Sequence, residues 1–125
     1  MTTSTAFQAM VLHLLQLDTD AEFMIPGGTA KSLPRYWAQN AGAGVRTFDL
    51  GGAVQADVAL QVSVETDASD DATQNEAMVA ALESHFRPGT RFGGVTIIEP
   101  PSPRPAILDG GVYSVPVIIR GRTVF

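Results

Sequence analysis

Apolar and polar residues alternate with a period of two along the segment from Val54 to Glu65. The apolar positions are Val54, Ala56, Val58, Leu60, Val62 and Val64, and the polar positions are Gln55, Asp57, Gln61, Ser63 and Glu65. Successive side chains of a strand point to opposite faces of a sheet, so this pattern predicts a strand with one face on a core. The other face is expected to be wet or to lie at a polar interface.

Two other segments have the helical spacing of apolar residues. Residues 3–17 carry Phe7, Met10, Val11, Leu14 and Leu17 on one side, and Leu12 and Leu15 widen the stripe. The segment from about Asp71 to Phe86 carries Met78, Val79, Leu82 and Phe86. Both are predicted to be helices. The first is apolar on so much of its circumference that we expect it to be sandwiched in the core or packed against another subunit.

The remaining segments predict shorter strands and their connections. Strands are expected from Arg35 to about Asn40, over "VTIIE" and over "VYSVPVIIRGR", while "PPSPRPAILDGG" is expected to be a connection that ends in a turn. Pro116 has no amide donor, which predicts an edge or a bulge in the last strand. The predicted fold class is therefore α+β. It is one domain over residues 1–125, a mostly antiparallel sheet of about four strands with two helices packed on it.

The glycine-rich stretch "GAGVRTFDLGG" lacks the GxGxxG pattern between a strand and a helix that binds dinucleotides. We expect a loop or a hairpin arm here, and such an arm could order against a neighbouring subunit. Its candidate interface residues are Val45, Arg46, Phe48 and Asp49. Arg120 and Arg122, at the end of the last strand, are either solvated charges or partners of acidic residues across an interface.

Composition narrows the classes of partner. The chain has 125 residues, of which 45% are hydrophobic and 17% charged, a net charge of −5 and no cysteine. Soluble domains usually have about 25% charged residues, so part of this surface is expected to be covered by partners. A net negative chain argues against nucleic acid or an anionic membrane as a partner through a basic surface. We expect neither a signal peptide nor a membrane span.

Four carboxylates, Glu65, Asp67, Asp70 and Asp71, lie where the long strand leads into the second helix. We expect Asp70 and Asp71 to complement the helix dipole, with Asp70 or Ser69 as the cap. A calcium loop started at Asp67 fails because its sixth and twelfth positions lack glycine and glutamate. The only histidines, His13 and His85, have no metal-binding or catalytic spacing. No catalytic, metal or cofactor residue is predicted, and no enzymatic activity is expected.

Four stretches together resemble a known family. They are "LPRYWAQ", "VQADVALQVSVET", "NEAMVAALESHFRPGTRF" and "DGGVYSVPVIIRGR". In this order they resemble the tail terminator proteins of long-tailed, siphovirus-like bacteriophages. The resemblance covers roughly residues 33–122 and is strongest at "HFRPGTRF" and "YSVPVIIRGR".

The resemblance implies a structural role in a virion, assembled in the cytoplasm of a host bacterium. Tail terminators form a hexameric ring on the head-proximal end of the tail tube, stop tube polymerisation and give the head connector a docking surface. The implied partners are therefore further copies of the chain, the tail tube protein and the head–tail connector or neck protein. DNA would pass through the lumen without specific binding. Side chains that could face such a lumen are Gln55, Asp57, Gln61 and Ser63.

Three other functions stay open at this point. A head-side neck protein of the same kind of virion would also be small, ring-forming and free of cofactors. A small α+β ligand-binding module would show a defined pocket and a stable monomer. An enzyme would need a nucleophile with a base, or a set of metal ligands, and the sequence contains neither pattern.

Overall fold

The computed structural model describes residues 3–48, 54–69 and 72–124, with side chains described over 5–42, 55–69 and 72–124. Helix α1 is Thr3–Leu15 and helix α2 is Thr73–His85. The strands are β1 Glu22–Met24, β2 Arg35–Phe48, β3 Val54–Asp67, β4 Arg91–Phe92, β5 Val95–Ile97, β6 Ser102–Pro103, β7 Ile107–Asp109 and β8 Val112–Val124. The described chain thus has three long strands, β2, β3 and β8, and five strands of two or three residues.

The strands form one mixed sheet with the order β1-β2-β3-β8-β5-β4, and β6 and β7 pair with β8 as well. β1 is parallel to β2, and the other strand pairs of the described chain are antiparallel. The predicted fold class is therefore wrong. The fold is mostly sheet, with eight strands in a mixed sheet and two helices, rather than about four antiparallel strands. β5 lies within the predicted strand "VTIIE". The strands β1, β4, β6 and β7 have only two or three residues, too few to produce a readable alternation, and the sequence pattern missed them.

β2 and β3 pair as a long antiparallel hairpin, which agrees with the predicted hairpin arm and not with the alternative of a loop. The pairing runs from Arg35 opposite Glu65 to Phe48 opposite Val54, with register shifts between Asn40 and Gly42 and between Val45 and Thr47. β3 also pairs with β8 as far as Gln55 opposite Val124. The glycine-rich stretch up to Phe48 is therefore a strand of the sheet.

β8 is an inner strand, so the edge predicted at Pro116 is wrong. The pairing does shift register beside Pro116, between Pro103 opposite Val117 and Ile107 opposite Ser114, in line with the alternative prediction of a bulge. β3 pairs along one side of β8, and β7, β6 and β5 succeed one another along the other side. The Pro116 carbonyl accepts a hydrogen bond from Arg104 N at 2.7 Å. N–H and C=O of one strand residue point to the same side, so the missing donor of Pro116 falls where β6 has ended. The predicted proline-rich connection is what supplies β6 and β7.

The hydrophobic core lies between the two helices and one face of the sheet. It includes Met10 and Leu14 of α1, Leu82 of α2, and the alternating β3 residues Val58, Leu60, Val62 and Val64. α1 approaches the sheet closely at Gly121, where an added Cβ would lie 2.6 Å from Val95 Cγ1 and 3.6 Å from Met10 Sδ. The predicted apolar face of the long strand is thus confirmed as core.

Candidate interaction surfaces

The sheet has two unlike faces. Both helices pack on the face that carries the apolar residues of β3. We call the opposite side the open face, because no helix of the described residues packs on it. Cross-strand register places Arg35, Trp37 and Gln39 of β2 on it, with Glu65, Ser63 and Gln61 of β3 opposite them. β8 continues the same rows with Ser114, Pro116, Ile118, Arg120 and Arg122.

A nearly buried ion pair lies at one end of the open face. Arg35 Nε donates to Glu65 Oε1 at 2.6 Å, and Arg35 Nη1 donates to the Lys31 carbonyl at 2.6 Å. Glu65 is only 6% exposed. A buried carboxylate without a partner would be costly, so Arg35 is the group that permits Glu65 to lie on this strand. Glu65 therefore belongs to the sheet and not to an acidic site.

The two arginines predicted to lie at an interface each have a carboxylate partner within the chain. Arg122 Nε lies 3.0 Å from Asp57 Oδ1, and Arg120 Nε lies 3.0 Å from Glu99 Oε1. The Arg120–Glu99 pair is about half exposed on both side chains, whereas Asp57 is mostly covered. Their role between subunits stays a prediction, and any partner would have to compete with these contacts.

The four predicted lumen residues are all on the open face, but they differ in exposure. Gln61 Nε2 donates to Gln39 Oε1 at 3.3 Å, and Gln55 and Asp57 are half-buried. Ser63, between Trp37 and Pro116 in the cross-strand register, is only 5% exposed and has almost no surface to offer a lumen. The lumen-facing role itself stays a prediction for all four.

The arm residues lie on β2 or beyond it. In the backbone register Val45 is opposite Ala56, Phe48 is opposite Val54, and Arg46 falls at the register shift between Val45 and Thr47. Asp49 lies outside the described residues. An interface role for this group therefore stays a prediction.

The two described residues of the acidic cluster, Glu65 and Asp67, have separate hydrogen-bond partners. Asp67 Oδ1 accepts hydrogen bonds from Ser69 N at 2.9 Å and Ser69 Oγ at 2.8 Å, which lower the pKa of Asp67. Helix α2 begins at Thr73, and its N-cap residue Ala72 makes no side-chain cap. Ser69 thus folds back on Asp67 instead of capping the helix, so that part of the prediction is wrong. Asp70 and Asp71 lie outside the described residues, and no metal-binding cluster is present among the described ones.

His13 and His85 meet at the C-terminal ends of the two helices. Each ring donates Nε2–H to the other residue's backbone carbonyl, at 3.0 Å from His13 and 2.5 Å from His85. The rings are stacked, with centroids 4.0 Å apart, and Phe92 stacks on the far side of His13 at 4.1 Å. Burial, and the nearby His85 to a lesser degree, lower the pKa of His13. The sequence offered no spacing that could reveal this pair, because the residues are 72 positions apart.

Two buried polar side chains tie α2 to the sheet, through hydrogen bonds that the sequence pattern did not predict. Asn75 Nδ2 donates to the Val64 carbonyl at 2.8 Å and lies 3.4 Å from the Tyr113 carbonyl. Tyr36 Oη donates to the Met78 carbonyl at 3.0 Å, and burial raises the pKa of Tyr36 to about 12. Both contacts satisfy backbone oxygens in the interior, so they fix the position of the helix.

The outer side of α1 forms an open apolar groove of about 400 Å³. Its walls are Phe7, Val11, Leu12 and Leu15 of the helix and Ile25 and Pro26 after β1. We call it the α1 groove. Leu12 is 61% exposed, and a second exposed apolar pair, Ile107 and Leu108, lies on β7. The predicted excess of apolar residues on α1 is thus explained only partly by the core. None of the described helices is long and apolar enough to cross a membrane.

The comparisons with known proteins bear on the fold. No protein-family model matches the chain, and no curated protein matches its sequence. Among solved structures, one chain whose name states no activity has a TM-score of 0.71 and 17% identity, covering 100% of this chain and 96% of its own. A chain from the virion of a native gene transfer agent particle has a TM-score of 0.61 and 16% identity. It covers 95% of this chain and 94% of its own. The chain therefore shares its fold, over 95% of its length, with a component of a virion particle.

Proposed function

We propose that this chain is a structural protein of a phage-like virion and, within that class, a tail terminator. The observation that carries the proposal is the full-length likeness to a chain of the gene transfer agent virion. It agrees with the resemblance of "HFRPGTRF" and "YSVPVIIRGR" to tail terminators. In this role the subunits form a hexameric ring on the tail tube, stop its growth and present a surface to the head-side neck protein.

The chemistry of the open face supports the passage of DNA. Arg35 and Arg122 lie on this face, and each is held by a carboxylate, Glu65 and Asp57. DNA binds proteins chiefly through unneutralised Lys and Arg near its phosphates. A face whose charges are paired within the chain would contact passing DNA weakly, as a lumen requires.

The surface of the chain supports a role in assembly more than a role in catalysis. Among the described residues, its large apolar features include an open groove beside α1 and the exposed strand β7. Small-molecule sites are usually enclosed clefts with a few convergent polar groups. The α1 groove has one polar lining residue, Gln8, and therefore suits another protein surface better than a small polar ligand.

Electron microscopy of particles made without this chain tests the proposal. The gene is interrupted in its parent phage, and a plasmid copy of the intact chain serves as the control. Tails of abnormal and variable length, corrected by the plasmid, are expected because nothing would cap the tube. Tails of normal length detached from filled heads would move the protein to the head side of the neck. Fully normal virions would refute both structural roles and favour a ligand-binding module.

A further inference from the structure

We propose that a pocket at one end of the open face binds the cationic end of an alkyl chain, that is, an alkylguanidinium or alkylammonium group. The group that it takes is an arginine or lysine side chain of a neighbouring protein subunit. The charge and shape of the pocket belong to the single chain, whereas the choice of a neighbouring subunit as the source rests on the proposed function. We call it the β7 pocket.

Residues from four strands line the β7 pocket, which has a volume of about 280 Å³. Its lining residues are Arg35, Glu65, Ile107, Asp109, Val112 and Ser114. Cross-strand pairing puts the first, second, last and third of these in one row, and the pair of Val112 and Asp109 follows on the same face. The pocket therefore belongs to the open face, on the side away from both helices.

The turn between β7 and β8 holds Asp109 in place. Asp109 pairs with Val112, and the two residues between them, Gly110 and Gly111, both have positive φ. This is the backbone of a tight two-residue hairpin turn. The Gly111 carbonyl also accepts a hydrogen bond from Ala68 N at 2.8 Å, just after the end of β3. The outer wall of the pocket is thus fixed to the strand that carries Glu65.

Glu65 presents a carboxylate oxygen without a partner to the pocket. Its side chain is mostly buried, and Arg35 Nε donates to Oε1 at 2.6 Å. No hydrogen bond from the described residues reaches Glu65 Oε2. Every fully buried side-chain oxygen and nitrogen of those residues has a partner, so Oε2 keeps an opening to the pocket. A carboxylate oxygen in this position favours a hydrogen-bond donor, above all a charged one.

The charges around the pocket favour a cation over an anion. Its lining carries the two carboxylates of Glu65 and Asp109 against the single guanidinium of Arg35. Two further carboxylates of the open face, Glu22 and Asp67, are cross-strand neighbours of lining residues. An incoming cation would therefore meet net negative charge.

The basic residue beside the pocket does not fill it. Lys31 gives its backbone carbonyl to Arg35 Nη1 at 2.6 Å. Its side chain is exposed and is not among the groups that line the pocket. The cation that the pocket favours therefore has to come from outside the described part of the chain.

The uncharged walls suit the alkyl stem of a basic side chain. Ile107 and Val112 line the pocket beside the carboxylates, and Ile107 is 55% exposed in the single chain. Arginine and lysine bury their methylene stems along apolar surface while the charged end reaches polar partners. A metal ion would need several oxygen ligands and would gain nothing from these walls. The combination of apolar walls and carboxylates therefore favours an alkyl cation.

Binding of small alkyl cations to the purified chain tests the site. The probe is butylguanidinium, and the control is N-butylurea, which has the same shape without the charge. Methylguanidinium keeps the charge but lacks most of the stem. We expect saturable shifts of the amide NMR signals of β7 and Ser114 with butylguanidinium, weaker binding of methylguanidinium and no binding of N-butylurea. Equal responses to butylguanidinium and N-butylurea, or no saturable shift at these residues, would overturn the site.

A substitution in the pocket tests the role of Asp109. Asp109→Asn removes one lining charge at an exposed position and should weaken butylguanidinium binding about fivefold, as for a solvent-exposed ion pair. The matched control is Asp20→Asn, which changes the net charge equally at an exposed carboxylate outside the lining. Circular dichroism checks that both variants are folded. Equal affinities for the two variants would contradict the assignment of the site to this pocket.

Particles distinguish a neighbouring subunit from a free amine as the source of the cation. Asp109→Lys and Asp20→Lys are each introduced into the parent phage. We expect Asp109→Lys to lower the yield of infectious particles well below that of Asp20→Lys, because it repels the side chain of a neighbour. Equal yields would overturn the neighbouring subunit as the source. Normal virions after interruption of the gene would refute the proposed function, whereas binding of butylguanidinium to the purified chain would still support the site.

Discussion

The two faces of the sheet differ in the chemistry of their side-chain contacts. On the helix-covered face, β3 presents Val58, Leu60, Val62 and Val64, which exclude water through aliphatic packing. On the open face, the intervening residues Asp57, Gln61 and Glu65 each have a polar partner on a neighbouring strand. The alternation of residues along β3 therefore gives the two faces of the sheet different roles. One face holds the fold together, and the polar groups of the other are paired with one another within the chain.

The largest effect is expected from the helix-covered face. Leu60→Ala removes a fully buried side chain from the centre of the core, so it should lower the free energy of unfolding by about 2–5 kcal/mol. The matched control is Gln61→Ala, the next residue on the same strand, whose side chain is half-buried and bonds only to Gln39 across the open face. That change should stay within about 0.5 kcal/mol. Urea unfolding followed by circular dichroism measures both.

Equal costs for these two substitutions would contradict the division between the faces. A cost above about 2 kcal/mol for Gln61→Ala would mean that the open face carries stability of its own. A small cost for Leu60→Ala would mean that the core can collapse around the lost side chain.

A smaller effect is expected at the ion pair of the open face. Glu65→Gln keeps the shape of the side chain but removes the charge that Arg35 binds, and should cost about 1.5–3 kcal/mol because the pair is mostly buried. Glu99→Gln is the control, since the Glu99–Arg120 pair is about half exposed on both sides. Water and salt screen such pairs, so the control should cost less than about 1 kcal/mol.

The dependence of stability on salt concentration should separate the two ion pairs further. Raising the salt concentration should narrow the difference between wild type and Glu99→Gln but leave the cost of Glu65→Gln nearly unchanged, because buried charges are screened little. Unfolding curves at low and high salt give both values. If the cost of Glu65→Gln also disappears at high salt, the pair is accessible to ions and the open face is wetter than the structure indicates.

The sequence predicted the long elements of this fold and the short strand β5, and it missed the other short strands. β3 and α2 have enough residues for their periods of two and of 3.6 to be read, and both lie close to the predicted positions. β6 and β7 have two and three residues, and they exist because β8 offers them an edge. The position of that edge depends on the tertiary structure, and no local sequence pattern predicts it. The same holds for the continuation of β2 beyond Asn40, which pairs with β3 despite its glycines.

The candidate surfaces were predictable to a lesser degree. The excess of apolar residues on α1 predicted a helix sandwiched in the core or packed against another subunit. The exposed walls of the α1 groove show that the core covers only part of the helix, and packing against another subunit stays a prediction. The partners of Arg120 and Arg122 could not be predicted, because Glu99 and Asp57 reach them only through strand pairing and chain reversal. In the sequence, Asn75 is one of several polar residues in the first turn of α2. In the structure it is buried against Val64 and Tyr113. Sequence patterns report which side of an element is apolar, but they do not report which polar residue finds a buried carbonyl.

The smallest effect is expected at the histidine pair, which closes the helix-covered face at the ends of α1 and α2. The pKa of His13 is lowered in the folded chain, chiefly by burial, so the unfolded chain binds a proton at higher pH than the folded chain does. Stability from this group is therefore full above the unfolded pKa of about 6.5 and falls as the pH drops below it. We expect the free energy of unfolding to fall more between about pH 7.5 and about pH 5.5 in the wild type than in His13→Gln. Urea unfolding at a series of pH values measures this difference, and Gln8→Ala, an exposed substitution on the same helix, is the control that should follow the wild type.

Parallel pH profiles for wild type and His13→Gln would mean that His13 takes up its proton as easily in the folded chain as in the unfolded one. The stacked pair would then hold the helix ends together at any pH, and the helix-covered face would be as insensitive to acid near neutrality as its aliphatic core.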